Sequence, residues 1–183
     1  GWGISESPLI VGNWVIVTPG GNKATMAALD KFTGKTIWTS KDPATKGREP
    51  AGYASPILYR VGNLEQVATF TGRGAYACRL QDGQFLWRYD KVANGIANIA
   101  TPLFHDNCIF YSSDYGTGCA LLRLQPDGNA QEVYFNKNLK NHHGGFVLVD
   151  GYIYGYDSSV LTCLRWDTGE VMWKDRSVGK GSL

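Results

Sequence analysis

Short runs of β-branched and aromatic residues, each about four to six long, follow one another along this chain and are separated by clusters rich in Gly, Asn, Asp and Ser. Trp14–Thr18, Thr25–Leu29, Gln66–Thr71, Ala75–Arg79, Cys108–Ser112, Ala120–Leu124, Tyr152–Tyr156 and Val160–Arg165 read as strands. The turns between them fall at Pro19-Gly20-Gly21-Asn22, Gly72-Arg73-Gly74, Asp114-Tyr115-Gly116-Thr117-Gly118 and Asp157-Ser158-Ser159. No segment shows the 3.6-residue period of an amphipathic helix.

The pattern repeats. Ala28–Trp38 (Ala-Leu-Asp-Lys-Phe-Thr-Gly-Lys-Thr-Ile-Trp) returns without a gap as Ala77–Trp87 and as Cys163–Trp173. A looser copy runs from Leu122 through Asp127-Gly128 to Val133-Tyr134, two residues longer between glycine and ring. Each copy is a strand, a turn in which glycine supplies positive φ, and a second strand ending in a large ring. An isolated hairpin cannot bury such a ring, so each needs a neighbouring repeat. A second landmark, Ser7-Pro8, Ser55-Pro56 and Thr101-Pro102, opens the first three repeats; proline at the first strand position costs no ladder bond. Four strands per repeat of about 40–50 residues is the size of a propeller blade. The sequence therefore predicts an all-β protein, a β-propeller of about four four-stranded antiparallel blades. Residues 1–183 form a single partial domain, with blades at about 4–40, 52–89, 98–136 and 144–175. A sandwich or barrel leaves the fourfold return of the hairpin unexplained.

Composition narrows the functional classes. Hydrophobic residues make up 43% and charged residues 19% of the chain, an ordinary globular balance. A formal net charge of +2 is too small to argue for nucleic acid. No apolar stretch is long enough to span a membrane as a helix. Cys78, Cys108, Cys119 and Cys163 are neither adjacent nor in Cys-x-x-Cys spacing. They read as buried thiols acting as small hydrophobes, with one disulfide or a metal site as alternatives. The chain begins inside the pattern, and Gly179–Leu183 reads as the opening of a further repeat, so a fragment of a longer protein is expected.

Ala28, Asp30, Thr33, Gly34, Lys35 and Trp38 together resemble the tryptophan-docking motif of the PQQ-like, quinoprotein-type β-propeller repeat family. Gly83, Trp87, Gly128, Tyr134, Gly169 and Trp173 are the matching positions in later copies. The resemblance covers essentially the whole chain and looks like a bacterial branch. It implies tryptophans packed between blades, a full ring of seven or eight blades of which this chain is about half, and a periplasmic or cell-surface location. The chain departs from the family where Asp30 is replaced by Arg79 and Arg165, and where the third repeat lacks a tryptophan. Quinoprotein dehydrogenases of the family carry a vicinal cysteine pair, a calcium site and an Asp base; no adjacent cysteines occur here.

In an up-and-down propeller, the segment entering each blade and the turn between its second and third strands share one face around the channel. That face would carry Trp2 and Glu6; Arg48, Tyr53 and Arg73; Asn94 and Asn98; Asp114 and Tyr115; Asn141, His142, His143 and Asp157. Adjacent histidines in an extended segment point to opposite sides, which argues against joint chelation. No catalytic residue and no metal site is assigned. The reading is a non-catalytic binding or protein-interaction scaffold, with a protein partner or small ligand on the channel face and no cofactor. Its uncovered ends would meet the remaining blades of a parent chain or a second copy. The alternative is part of a quinoprotein alcohol or sugar dehydrogenase with pyrroloquinoline quinone and calcium in the channel.

Overall fold

The structure, a computed structural model, describes residue 3 and residues 5–183; Trp2 lies outside the described residues. All regular structure among them is β, in four four-stranded antiparallel sheets with consecutive strands as neighbours. The first sheet is β1 (Leu9–Val11), β2 (Trp14–Val17), β3 (Met26–Asp30) and β4 (Thr36–Ser40). The second is β5 (Ile57–Val61), β6 (Leu64–Phe70), β7 (Ala75–Arg79) and β8 (Phe85–Tyr89). The third is β9 (Leu103–His105), β10 (Cys108–Ser113), β11 (Gly118–Leu124) and β12 (Ala130–Asn136). The fourth is β13 (Phe146–Val149), β14 (Tyr152–Asp157), β15 (Val160–Arg165) and β16 (Val171–Asp175). This is a β-propeller arc, and it is not closed.

The repeated hairpin has a local cause. Asp30 Oδ1 accepts the Phe32 and Thr33 N–H groups at 3.1 and 2.8 Å and the Thr33 hydroxyl at 2.8 Å, folding the chain back before Gly34. Where arginine replaces that aspartate, other side chains fold the turn. Asp82 accepts the Gln84 N–H at 3.0 Å and pairs with Arg79, and Arg165 faces Glu170 at 3.8 Å. The second sheet thus keeps a carboxylate cap on the turn, and in the fourth the Thr168 hydroxyl accepts the Glu170 N–H at 3.3 Å.

One feature of the hairpins escaped the sequence reading. In all four sheets the ladder between the third and fourth strands slips by one residue just before the ring. Ala28 faces Trp38 while Leu29 faces Thr36, leaving Ile37 as the extra residue. Leu86, Val133 and Met172 occupy the same place. A bulge turns the strand and re-aims the side chain after it, which sets the ring toward the next sheet.

The rings dock on glycine. A Cβ added to Gly83 would lie 2.5 Å from Cε3 of Trp38, and one added to Gly169 would lie 2.7 Å from Cε2 of Tyr134. Tyr134 is therefore the docking ring of the repeat that lacks tryptophan. The second junction differs: Gly128, in the longer turn, sits against Leu86 and Leu64, while Trp87 meets Tyr111 edge-on with centroids 6.4 Å apart. The buried core follows these junctions. One cluster joins Ile16, Met26 and Trp38 to Val67, Tyr76 and Cys78; a second joins Phe70 and Trp87 to Ile109 and Tyr111; a third joins Phe110 and Leu121 to Phe146 and Ile153. Hydrophobic burial thus lies between sheets, and each sheet is stabilised chiefly by its neighbour.

Candidate functional site

The segments entering the sheets converge. Ser5 ahead of β1, Tyr53 ahead of β5, Ala97 and Ile99 ahead of β9, and His142 and His143 ahead of β13 line one cavity of about 320 Å³ with Tyr115 from the β10–β11 turn. Segments leading into all four sheets contribute to it.

Hydroxyls link the entering segments. The Ser7 N–H donates to Ser55 Oγ at 2.9 Å, and the Ser55 N–H donates to Thr101 Oγ1 at 3.3 Å. The Ser55 and Thr101 landmarks thus act through their hydroxyls as well as the prolines that follow, and Ser7 joins through its N–H. Gly144 holds the equivalent position before β13 and cannot extend the relay.

At the fourth sheet the histidines pair. Lys180 Nζ donates to His142 Nδ1 at 2.7 Å, so the ring proton sits on Nε2 and is given to the Tyr115 hydroxyl at 3.0 Å. Burial, then the Lys180 ammonium, then His143 hold the His142 pKa below its ordinary value against the opposing pull of Asp114. The rings of His142 and His143 lie 4.5 Å apart and 31° from parallel, and both line the cavity. The expectation that they point to opposite sides fails because the chain bends at residues 143 and 144. Among the described residues, no three His, Cys, Asp or Glu side chains are grouped to hold a metal ion.

The remaining candidates divide. Asn94 and Asn98 are buried and bind backbone: Asn94 Oδ1 accepts the Ile96 and Ala97 N–H groups at 2.8 and 2.7 Å, and Asn98 Nδ2 donates to the Thr71 carbonyl at 2.9 Å. Asn141, also buried, donates Nδ2 to the Gly145 carbonyl at 2.6 Å, and its N–H goes to Ser112 Oγ at 2.9 Å. Asp157 is 8% exposed and clamped between Lys140 Nζ at 2.5 Å and Lys174 Nζ at 2.8 Å. Burial works to raise its pKa, and the two ammonium groups overcome it, leaving the carboxyl below its usual range. Glu6 accepts the Thr18 hydroxyl at 2.5 Å, and Asp114 accepts that of Ser158 at 3.1 Å. Arg48 and Arg73 are exposed and do not line the cavity. Sequence reasoning missed Ala97, Ile99 and Lys180. Lys180 was legible in the reading of Gly179–Leu183 as an entering segment; the two apolar residues carried no signal.

The four cysteines are free and buried. Burial pushes the Cys78 and Cys119 thiols up to about 12, which makes them poor nucleophiles and poor metal ligands at neutral pH.

Four-stranded antiparallel sheets repeated around a shared set of entering segments define a β-propeller of the PQQ-like repeat class. The chain belongs to the family whose model is described as outer membrane protein assembly factor BamB, which matches residues 2–175. The crystal structure of BamB from Moraxella catarrhalis superposes with a TM-score of 0.66 at 19% identity, covering 94% of this chain and 48% of that one. The computationally designed Ika8 protein superposes at 0.61 with 15% identity, covering 96% and 49%, and Kluyveromyces lactis Hsv2p at 0.54 with 13% identity, covering 93% and 50%. These likenesses show the fold. The chain spans about half the length of those solved structures. Among curated proteins none matches by sequence.

Proposed function

We propose that the chain is a non-catalytic binding and protein-interaction module that receives a partner loop or small ligand at the channel mouth. The observation that carries this is the convergence of all four sheets on one cavity lined by Tyr53, Tyr115, His142 and His143. Aromatic rings there supply apolar area, and the Tyr115 hydroxyl and Lys180 ammonium, held in place by His142, supply donors. The family's description as an outer membrane assembly factor supports a protein partner and a periplasmic or cell-surface location. The uncovered face of the fourth sheet is then met by the rest of a longer parent chain or by a second copy. The test is selection of binding peptides from a displayed library, followed by amide hydrogen exchange. Protection is expected at residues 97–99, 115 and 142–143; strong binders that protect only the far side would overturn the reading.

A dehydrogenase reading calls for adjacent cysteines beneath the quinone. Cys78, Cys108, Cys119 and Cys163 are separate, and each is buried within a strand. Titration with pyrroloquinoline quinone and calcium is expected to give no saturable absorbance change. A saturable change accompanied by dye-linked alcohol oxidation would replace the scaffold reading with the quinoprotein one.

A further inference from the structure

Beside the channel mouth, around the first two sheets, the fold gathers cations that the sequence keeps apart. Lys23 stands in the β2–β3 turn, Lys46 and Arg48 between β4 and β5, and Arg73 in the β6–β7 turn; all four are exposed. Backbone bonds tie the three segments together. Gly21 and Glu49 exchange N–H···O bonds at 2.6 and 3.0 Å, and the Gly72 N–H donates to the Pro50 carbonyl at 2.9 Å. Arg73 Nη1 reaches the Lys46 carbonyl at 3.5 Å. The two side chains border an open depression of about 450 Å³ that Arg88, Asp42 and Asp90 also line.

The carboxylates nearby are already engaged. Glu49 is fully buried and held by Arg88 Nη1 at 2.8 Å and by the Thr71 hydroxyl at 2.7 Å. Asp42 is 6% exposed and accepts the Ala44 N–H at 2.8 Å and the Thr45 hydroxyl at 3.1 Å. Asp90 takes Arg88 Nε at 2.6 Å. Among the described residues, Lys23, Lys46, Arg48 and Arg73 have no ion-pair partner and outnumber Asp42, the one nearby carboxylate that also has none, so the balance of charge here is positive although the chain as a whole is nearly neutral.

We propose that this patch docks an acidic, extended segment of a partner protein. This rests on the reading of the entering side as the interaction surface and names the chemistry of the partner. Arg73 presents a planar fork suited to a carboxylate, and the lysines are long point charges that follow a flexible chain. A single-stranded nucleic acid is the poorer fit: the patch occupies one sector of a chain with net charge +2, and no aromatic ring lines its depression for bases to stack on.

The test is fluorescence anisotropy with a fluorescein-labelled glutamate-rich peptide, a matched glutamine-rich peptide and a single-stranded oligonucleotide of equal charge. The glutamate peptide is expected to bind, to weaken as salt rises, and to lose on the order of tenfold in affinity with Lys46→Glu and Arg73→Glu combined. Lys35→Glu with Arg123→Glu, exposed changes near the other ends of the strands, is expected to leave it unchanged. Equal binding of the glutamine peptide, equal loss with the control pair, tighter binding of the oligonucleotide, or no saturable binding at low salt would each overturn the proposal. Failure of the glutamate peptide to bind, alongside library peptides that protect Tyr115 and His142, would leave the scaffold reading standing while this one fell.

Discussion

At the scale of single residues, contact with glycine decides how tightly two sheets meet. Trp38 lies flat on Gly83 because no side chain intervenes, and at φ +72° that glycine occupies a conformation other residues adopt only under strain. Gly83→Val should therefore destabilise through both overpacking and backbone strain, by about 1–3 kcal/mol or more, and Trp38→Ala by about 3–5 kcal/mol. Urea unfolding followed by far-UV circular dichroism measures both, and near-neutral results would show that the junction is held elsewhere. Asp157 makes a prediction in pH. Its carboxyl is depressed in the folded state by Lys140 and Lys174, so its contribution is complete above the unfolded carboxylate value and is lost as pH falls through the folded one. The melting temperature should drop more steeply on acidification from neutral pH in the wild type than in Asp157→Asn, the two curves converging at low pH. The thiols make a third: all four should resist a disulfide reagent in native buffer and react together once the chain is unfolded.

At the scale of the hairpin, the repeat was legible because its chemistry is local. Alternating strands, the Asp-and-glycine turn and the terminal ring are all written within eleven consecutive residues, Ala28–Trp38. The bulge was not legible, since Ile37, Leu86, Val133 and Met172 share no side-chain type, and an extra residue in a ladder leaves no mark in composition. Deleting Ile37 would restore an even register and turn Trp38 away from Gly83. The expected outcome is a loss near that of Trp38→Ala, about 3–5 kcal/mol, with amide protection lost at β4 before β2. The channel face was legible in part for the same reason of locality. Strand order alone places Tyr53, Tyr115, His142 and His143 on one side, and they share a cavity. Whether an asparagine faces a ligand or a carbonyl depends on backbone groups far off in sequence, as Asn98 with Thr71 shows. The hydroxyl relay from Ser7 through Ser55 to Thr101 was hidden likewise, because each link spans a whole repeat.

For the molecule as a whole, one docking pair is left open. Trp38 and Trp87 are 7% and 5% exposed, whereas Trp173, at the same register of the fourth sheet, is 43% exposed beside the exposed Met172. At the other end of the arc, Gly34 holds the turn geometry of Gly83 and Gly169, yet nothing lies within 4 Å of where its Cβ would be. A ring without a glycine and a glycine without a ring are two halves of the junction that recurs inside the chain, and apolar area left in water drives association. The 183-residue chain alone should therefore show concentration-dependent mass in light scattering above its 20.1 kDa. Trp173→Ser should shift it toward the monomer while leaving the fold's circular dichroism intact, because that ring is buried against no following sheet. In the wild type, acrylamide should quench Trp173 more readily than Trp38 or Trp87 at low concentration, and the difference should shrink as the chain self-associates. A monomer at every concentration, with Trp173 freely quenched throughout, would mean that this face is covered only by something other than its own kind.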